Sequence, residues 1–186
     1  MLGDDFPGVL EGALSGDERA FGRLFTDMQP PLLRYLRGMA PELAEDAASE
    51  TWLEVARGLD AFTGPEPAFR AWMFAIARRK VIDRIRYENR RPSASWEDLD
   101  PITPPLRDVA DQVVDEDETR AALALVRTLP TDQAEAVLLR VVGGLDYAEV
   151  ARVMDRSAGA VRVLVHRGLK RLQSTGTESS AEDVTR

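Results

Sequence analysis

Residues 145–172 read LDYAEVARVMDRSAGAVRVLVHRGLKRL. The apolar spacing fits two helices with a tight turn between them. Tyr147, Val150, Ala151 and Met154 share one face of the first helix. Asp155-Arg156-Ser157 makes the turn, and Ser157 is a natural N-cap for the second helix. There Val161, Leu164, Val165, Leu169 and Leu172 form a core stripe, while Arg162, His166 and Lys170 step by four along another face beside Val163 and Arg167. A helix with one apolar stripe and a basic, acid-free remainder, entered from a short turn after a shorter helix, has the layout of a DNA-reading helix-turn-helix. Its arginines suit guanine edges or phosphates alike, and a merely solvated basic face is the competing reading.

Outward from this segment the chain is acidic, with a net charge of -8 over 186 residues. That average hides a segregation: residues 156–172 carry +5 and residues 61–91 carry +5, whereas residues 1–60 and 92–120 carry -7 each. Two short basic islands therefore sit in an acidic chain. There is no cysteine and a single histidine, His166, so disulfides, thiolate zinc sites and histidine metal clusters are excluded, and no cofactor or metal is expected. The longest apolar runs, such as Ala136 to Leu139, fall far short of the roughly 20 residues that cross a bilayer. The first ten residues carry Asp4 and Asp5 where a secretory signal carries basic residues, so a cytoplasmic protein is expected.

Nearly every periodic segment has the 3.6-residue spacing, and none alternates like a strand, which predicts an all-α fold of two small helical domains. The first group of helices spans residues 1–91, with helix starts at Asp17, at Pro30-Pro31 and around Pro41 to Glu45. Gly64-Pro65-Glu66-Pro67 separates its last two helices. Residues 92–116, rich in proline and acid, read as a flexible linker; residues 117–173 form the second group, and 174–186 a disordered polar tail.

The other basic island, FRAWMFAIARRKVIDRIRYENRR at 69–91, places Phe69, Trp72, Met73 and Ile76 on one helical face and Phe74, Val81 and Ile85 on a second. A helix apolar on two sides is wrapped by neighbours, which makes it the centre of its bundle. Trp72, Arg79, Arg86 and Arg90 follow a third line, so aromatic and basic groups share a track suited to single-stranded DNA. Burial of Trp72 in the core is an equally good reading of that residue.

The segment LPTDQAEAVLLRVVGGLDYAEVARVMDRSAGAVRVLVHRGLKRL, residues 129–172, resembles the C-terminal domain of extracytoplasmic-function sigma factors of the sigma-70 family. AEDAASETWLEVARGLDAF at 44–62 and the 69–91 island resemble two typical segments of that family's N-terminal domain. The resemblance implies that Arg162, Val163, His166, Arg167 and Lys170 face the minus-thirty-five element. It implies that Phe62, Trp72, Arg78, Arg79, Arg86 and Arg90 serve recognition and opening of the minus-ten element, with a flipped base held by the loop from Phe62 to Ala68. Asp46, Ser49, Glu50, Trp52 and Leu53 then dock on the clamp helices of the largest subunit of core RNA polymerase, and the flap of the second largest subunit is a further implied contact. Promoter DNA and an anti-sigma factor are the other implied partners, and no enzymatic activity is implied. The linker is either a solvated tether or a segment that threads a polymerase channel.

Departures from the family pattern are local. Asp155 stands where the turn usually has glycine, Val163-Leu164 where Ser-Arg is common, Arg79 for an asparagine and Ser49 for a glutamine; Pro65 and Pro67 stiffen the loop. A helix-turn-helix regulator without sigma activity is the alternative, but it needs a dimer interface for paired half-sites, and no surplus apolar face is reserved for one. A hydrolase or nuclease lacks a converging nucleophile, base or metal site.

Overall fold

A computed structural model of the chain describes residues 1–90 and 113–183, with side chains over residues 1–87 and 117–174. The described residues are helical with connecting turns and contain no strand: α1 Phe6–Leu14, α2 Glu18–Met39, α3 Ala44–Gly58, α4 Glu66–Arg90, α5 Val113–Arg127, α6 Thr131–Val137, α7 Tyr147–Met154 and α8 Ala158–Asp183. No described helix is long and apolar enough to cross a membrane.

In the first half, α2 starts where Asp17 caps it by accepting from the Arg19 amide at 2.9 Å. It then runs unbroken to Met39, so Pro30 and Pro31 lie inside a helix and do not begin one. Leu24, Met28, Leu32, Tyr35 and Leu36 are fully buried along its length. At roughly 1.5–3 kcal/mol for each large apolar side chain, that stripe outweighs the roughly 3 kcal/mol a proline costs inside a helix. The other two starts, Asp17 and the turn at Pro41–Leu43 before α3, fall where the local signals put them.

As the two-sided apolar pattern predicts, α4 is the wrapped helix: Phe69, Met73, Phe74, Ile76, Ala77 and Val81 are all buried. Two residues of the predicted apolar faces are not buried: Trp72 is half-buried and Ile85 is 37% exposed.

The second half packs α5 to α8 together, with α6 against α8 as the main seam. Between α6 and the loop before α7 the chain makes a π-helical turn, Leu138–Val142. Gly168 sets the seam: a Cβ there would lie 2.7 Å from Val137 and 3.4 Å from the Gln133 carbonyl. This close approach turns Leu169 outward to 39% exposure, so the core stripe of α8 rests on Val161 and Val165 and on the half-buried Leu164 and Leu172.

Three boundaries differ from the sequence reading. Helix α4 begins at Glu66, inside the loop assigned to Phe62 to Ala68, because a proline such as Pro67 is at home in the first turn of a helix. Helix α5 begins at Val113, inside the stretch assigned to the linker, and α8 continues to Asp183, inside the stretch assigned to a disordered tail. Extending an existing helix needs no new nucleus, and Ser174 to Asp183 has no proline to stop it. The rest of the linker, residues 92–112, lies outside the described residues.

The two halves are in contact and share one apolar core. α2 packs on α5, α6 and the π turn, and α4 packs on α7. Gly38 of α2 admits Leu138 so closely that a Cβ would meet its methyl at 2.7 Å.

Candidate nucleic-acid interface

The frame of the helix-turn-helix is set by three local bonds. Asp146 accepts from the Glu149 amide at 2.8 Å while the Glu149 carboxylate accepts from the Asp146 amide at 2.7 Å, a reciprocal cap at the start of α7. Asp155 ends α7 in the left-handed region at φ 54°, which turns the chain toward α8. Ser157 then accepts from the Ala160 amide at 3.2 Å, as its position before α8 predicts.

With Val161 and Val165 buried, α8 leaves Arg162, Val163, His166, Arg167 and Lys170 exposed together. Among the described residues Arg162, Arg167 and Lys170 form no ion pair. The Arg162 guanidinium lies over the Tyr147 ring at 5.4 Å, and that of Arg140 lies 5.2 Å from the same ring. Such contacts are worth about 0.5–1 kcal/mol at exposed sites, enough to bias Arg162 without removing it from solvent.

The α4 island is arranged differently. Arg79 is exposed and donates to Glu54 of α3 at 2.5 Å; Lys80 lies 2.9 Å from the same carboxylate. The hydrogen bond from Lys80 leads in holding Glu54 below the usual carboxylate range. Arg84 reaches Asp46 at 3.7 Å and Glu50 at 3.8 Å. Arg86 is exposed one turn beyond, 3.9 Å from Asp83, and the Arg90 side chain lies outside the described ones.

Trp72 is half-buried and stacked on Phe62, centroids 5.3 Å apart and planes 21° from parallel; both rings meet Phe69 edge-on. An aromatic cluster of the protein's own thus occupies the place that the sequence offered either to core packing or to a base.

Along α3 the expected docking residues divide among faces. Asp46 and Glu50 look toward α4. Trp52 is buried, donating to Gln29 at 2.7 Å and packed on Phe21 and Phe25. Ser49 is exposed, as are Leu53 at 56% and the neighbouring Phe25 at 41%. Phe25 was not singled out by the sequence, because it is contributed by another helix and only the packing on Trp52 brings it to this surface.

Arg78 is half-buried and turned toward the second half. Its Nε donates to Glu135 Oε1 at 2.6 Å and its Nη2 to Oε2 at 3.4 Å; the Tyr35 hydroxyl donates to Oε1 at 3.3 Å. Burial, reinforced by the Glu135 charge, raises the Tyr35 hydroxyl well above its ordinary pKa. Burial alone would lower the pKa of Arg78, but its hydrogen bond to Glu135 and that carboxylate's charge outweigh it, and the net direction is upward. Arg70, 5% exposed, makes a second crossing, with Nε and Nη2 donating to the Gly143 carbonyl at 3.1 and 3.0 Å. Neither Glu135 nor Arg70 carried a sequence signal of its own, since each lies within an ordinary helical pattern.

Residues 24–91 match the family model for Sigma-70 region 2, and residues 119–172 that for Sigma-70 region 4. The chain is 34% identical over 166 residues to the ECF RNA polymerase sigma factor BldN of Streptomyces coelicolor, covering 88% of this chain and 63% of that protein's length. It is 32% identical over 176 residues to the ECF RNA polymerase sigma factor ShbA of Streptomyces griseus, covering 89% and 92%. It is also 30% identical over 184 residues to the ECF RNA polymerase sigma factor SigD of Mycobacterium tuberculosis, covering 93% and 84%. Similar folds occur in CnrH, solved with the cytosolic domain of CnrY (TM-score 0.65, 24% identity, covering 94% of this chain and 99% of that one). A second is the sigma factor RpoE of Bartonella quintana, solved with the anti-sigma factor NepR (TM-score 0.63, 22% identity, covering 83% and 94%).

Proposed function

We infer the division of labour in this chain from the premise that it belongs to the sigma-70 family, as an extracytoplasmic-function RNA polymerase sigma factor that directs promoter-specific initiation. The second domain reads the minus-thirty-five element in the major groove through Arg162, Val163, His166, Arg167 and Lys170. One observation carries this: the five side chains are exposed together on one helix whose opposite face is buried, and Arg162, Arg167 and Lys170 form no ion pair among the described residues.

The first domain grips polymerase and opens the minus-ten element. Phe25, Ser49 and Leu53 form the exposed part of the polymerase contact, Trp52 supports them from beneath, and Asp46 and Glu50 reach polymerase only by exchanging their pairing with Arg84. Arg78, Arg79, Arg86 and Arg90 follow the phosphates of the opened strand, while Phe62 and Trp72 shape the base-binding loop. The chain acts by binding, with the polymerase supplying the chemistry, and it works in the cytoplasm where polymerase is. Because CnrH and RpoE are seen with CnrY and NepR, an anti-sigma protein is the expected regulator.

With a net charge of -8, the isolated chain should bind duplex DNA weakly, since phosphate contacts dominate non-specific affinity. The test is reconstitution with sigma-free core polymerase and genome-wide mapping of transcription starts. Specific starts that disappear with Arg162→Ala and Arg167→Ala are expected. Initiation no different from core alone would overturn the assignment.

A further inference from the structure

We propose that Glu135 is an internal stand-in for a DNA phosphate: by holding Arg78 it keeps the second domain closed on the first and withholds that arginine from the promoter strand. The inference rests on the reading of Arg78 as a minus-ten contact and concerns how that contact is regulated.

Glu135 belongs to α6 of the second domain, yet its hydrogen-bonding partners, Arg78 and Tyr35, belong to the first. It is 3% exposed, and a carboxylate so buried is tolerated only when paired. Its two oxygens meet Nε and Nη2 of one guanidinium, the forked geometry by which arginine also takes a phosphate. The Nε–Nη2 edge cannot serve both anions at once, so while Glu135 holds it Arg78 has only Nη1 to offer DNA.

The closed arrangement can also be opened. A buried ion pair contributes little net stability, because the attraction is largely spent on desolvation, and Glu135 regains water once the domains part. Nothing of this kind restrains Arg162, Arg167 and Lys170 on α8, which form no ion pair among the described residues. The latch therefore acts on strand opening, the step that must await polymerase, and polymerase releases it by drawing the two domains to separate promoter elements.

The test uses the full chain. Since it lacks cysteine, Glu18→Cys and Arg152→Cys, exposed on opposite domains, accept a fluorophore pair for distance measurement. Glu135→Gln is expected to shift the distances to longer values and to raise affinity for a labelled single-stranded oligo(dT) 12-mer roughly five-fold, a gain abolished by adding Arg78→Gln. The charge swap Arg78→Glu with Glu135→Arg should restore the short distances without the gain in DNA affinity, which shows that folding is intact. Unchanged distances and affinity in a folded Glu135→Gln protein would overturn the latch, the more clearly if Arg78→Gln holoenzyme still loses transcription. Opening without any gain in affinity would also overturn it. Combined with normal transcription by Arg78→Gln holoenzyme, that result would place the fault in the reading of Arg78 as a DNA contact.

Discussion

The two basic islands carry the same charge, +5 each, but meet it differently. In the second island Arg156 pairs with Asp132 at the turn, but on α8 Arg162, Arg167 and Lys170 form no ion pair among the described residues, and Arg162 rests on the Tyr147 ring. On α4 they are leashed: Arg78 to Glu135 of the other domain, Arg79 and Lys80 to Glu54, Arg84 to Asp46 and Glu50. The difference teaches that basic residues on a helix are not equally available. On the proposed assignment, the three unpaired cations of α8 meet duplex DNA directly, whereas the cations of α4 must exchange internal carboxylates for phosphates and so gain less from each contact.

The comparison breaks most severely if the platform of α8 is lost. Gly168→Leu drives a side chain into Val137 and should cost about 2–3 kcal/mol, read as a lowered urea midpoint, because the Gln133 backbone on the same side cannot yield.

Next comes the contrast itself. Arg162→Ala in holoenzyme should weaken binding at a mapped promoter by about 2 kcal/mol, whereas Arg79→Ala should cost well under half of that because Arg79 must first leave Glu54. Equal losses in a competition binding assay would remove the distinction drawn between the islands.

Asp155→Gly relieves a left-handed residue between α7 and α8 and should stabilise the protein by about 1 kcal/mol without altering DNA binding. A lowered thermal midpoint would show that the Asp155 side chain contributes something the backbone strain conceals.

The smallest effect concerns the leash on Arg79. Glu54→Gln should cost less than about 1 kcal/mol near neutral pH, since the pair is largely exposed. The Glu54 pKa is depressed by folding, so its contribution is present above the unfolded carboxylate pKa and is lost as pH falls through the lower folded value. Wild type and variant should therefore differ above the unfolded carboxylate pKa and converge in urea unfolding only once pH has fallen below the lower folded value.

Much of this was legible in the sequence because it depends on neighbours three or four residues away. The periodicity of 145–172, the Ser157 cap and the exposed set from Arg162 to Lys170 follow from helical geometry alone. The readings that changed all turned on contacts with distant residues. Pro30 and Pro31 look like a helix start until the buried stripe from Leu24 to Leu36 holds α2 through them. Leu169 looks like core until Gly168 brings α8 onto α6.

By itself the sequence determined an all-α chain, the positions of its two basic islands and the family to which both belong. These are properties of residue order and of spacing along single helices. Only the tertiary structure decided that the two halves share one core, that Leu138 reaches Gly38, and that Arg78 spends its charge on Glu135. An ion pair between residues 57 positions apart leaves no periodic trace, because it is selected by the packing of one domain on another and not by the helix that carries either partner.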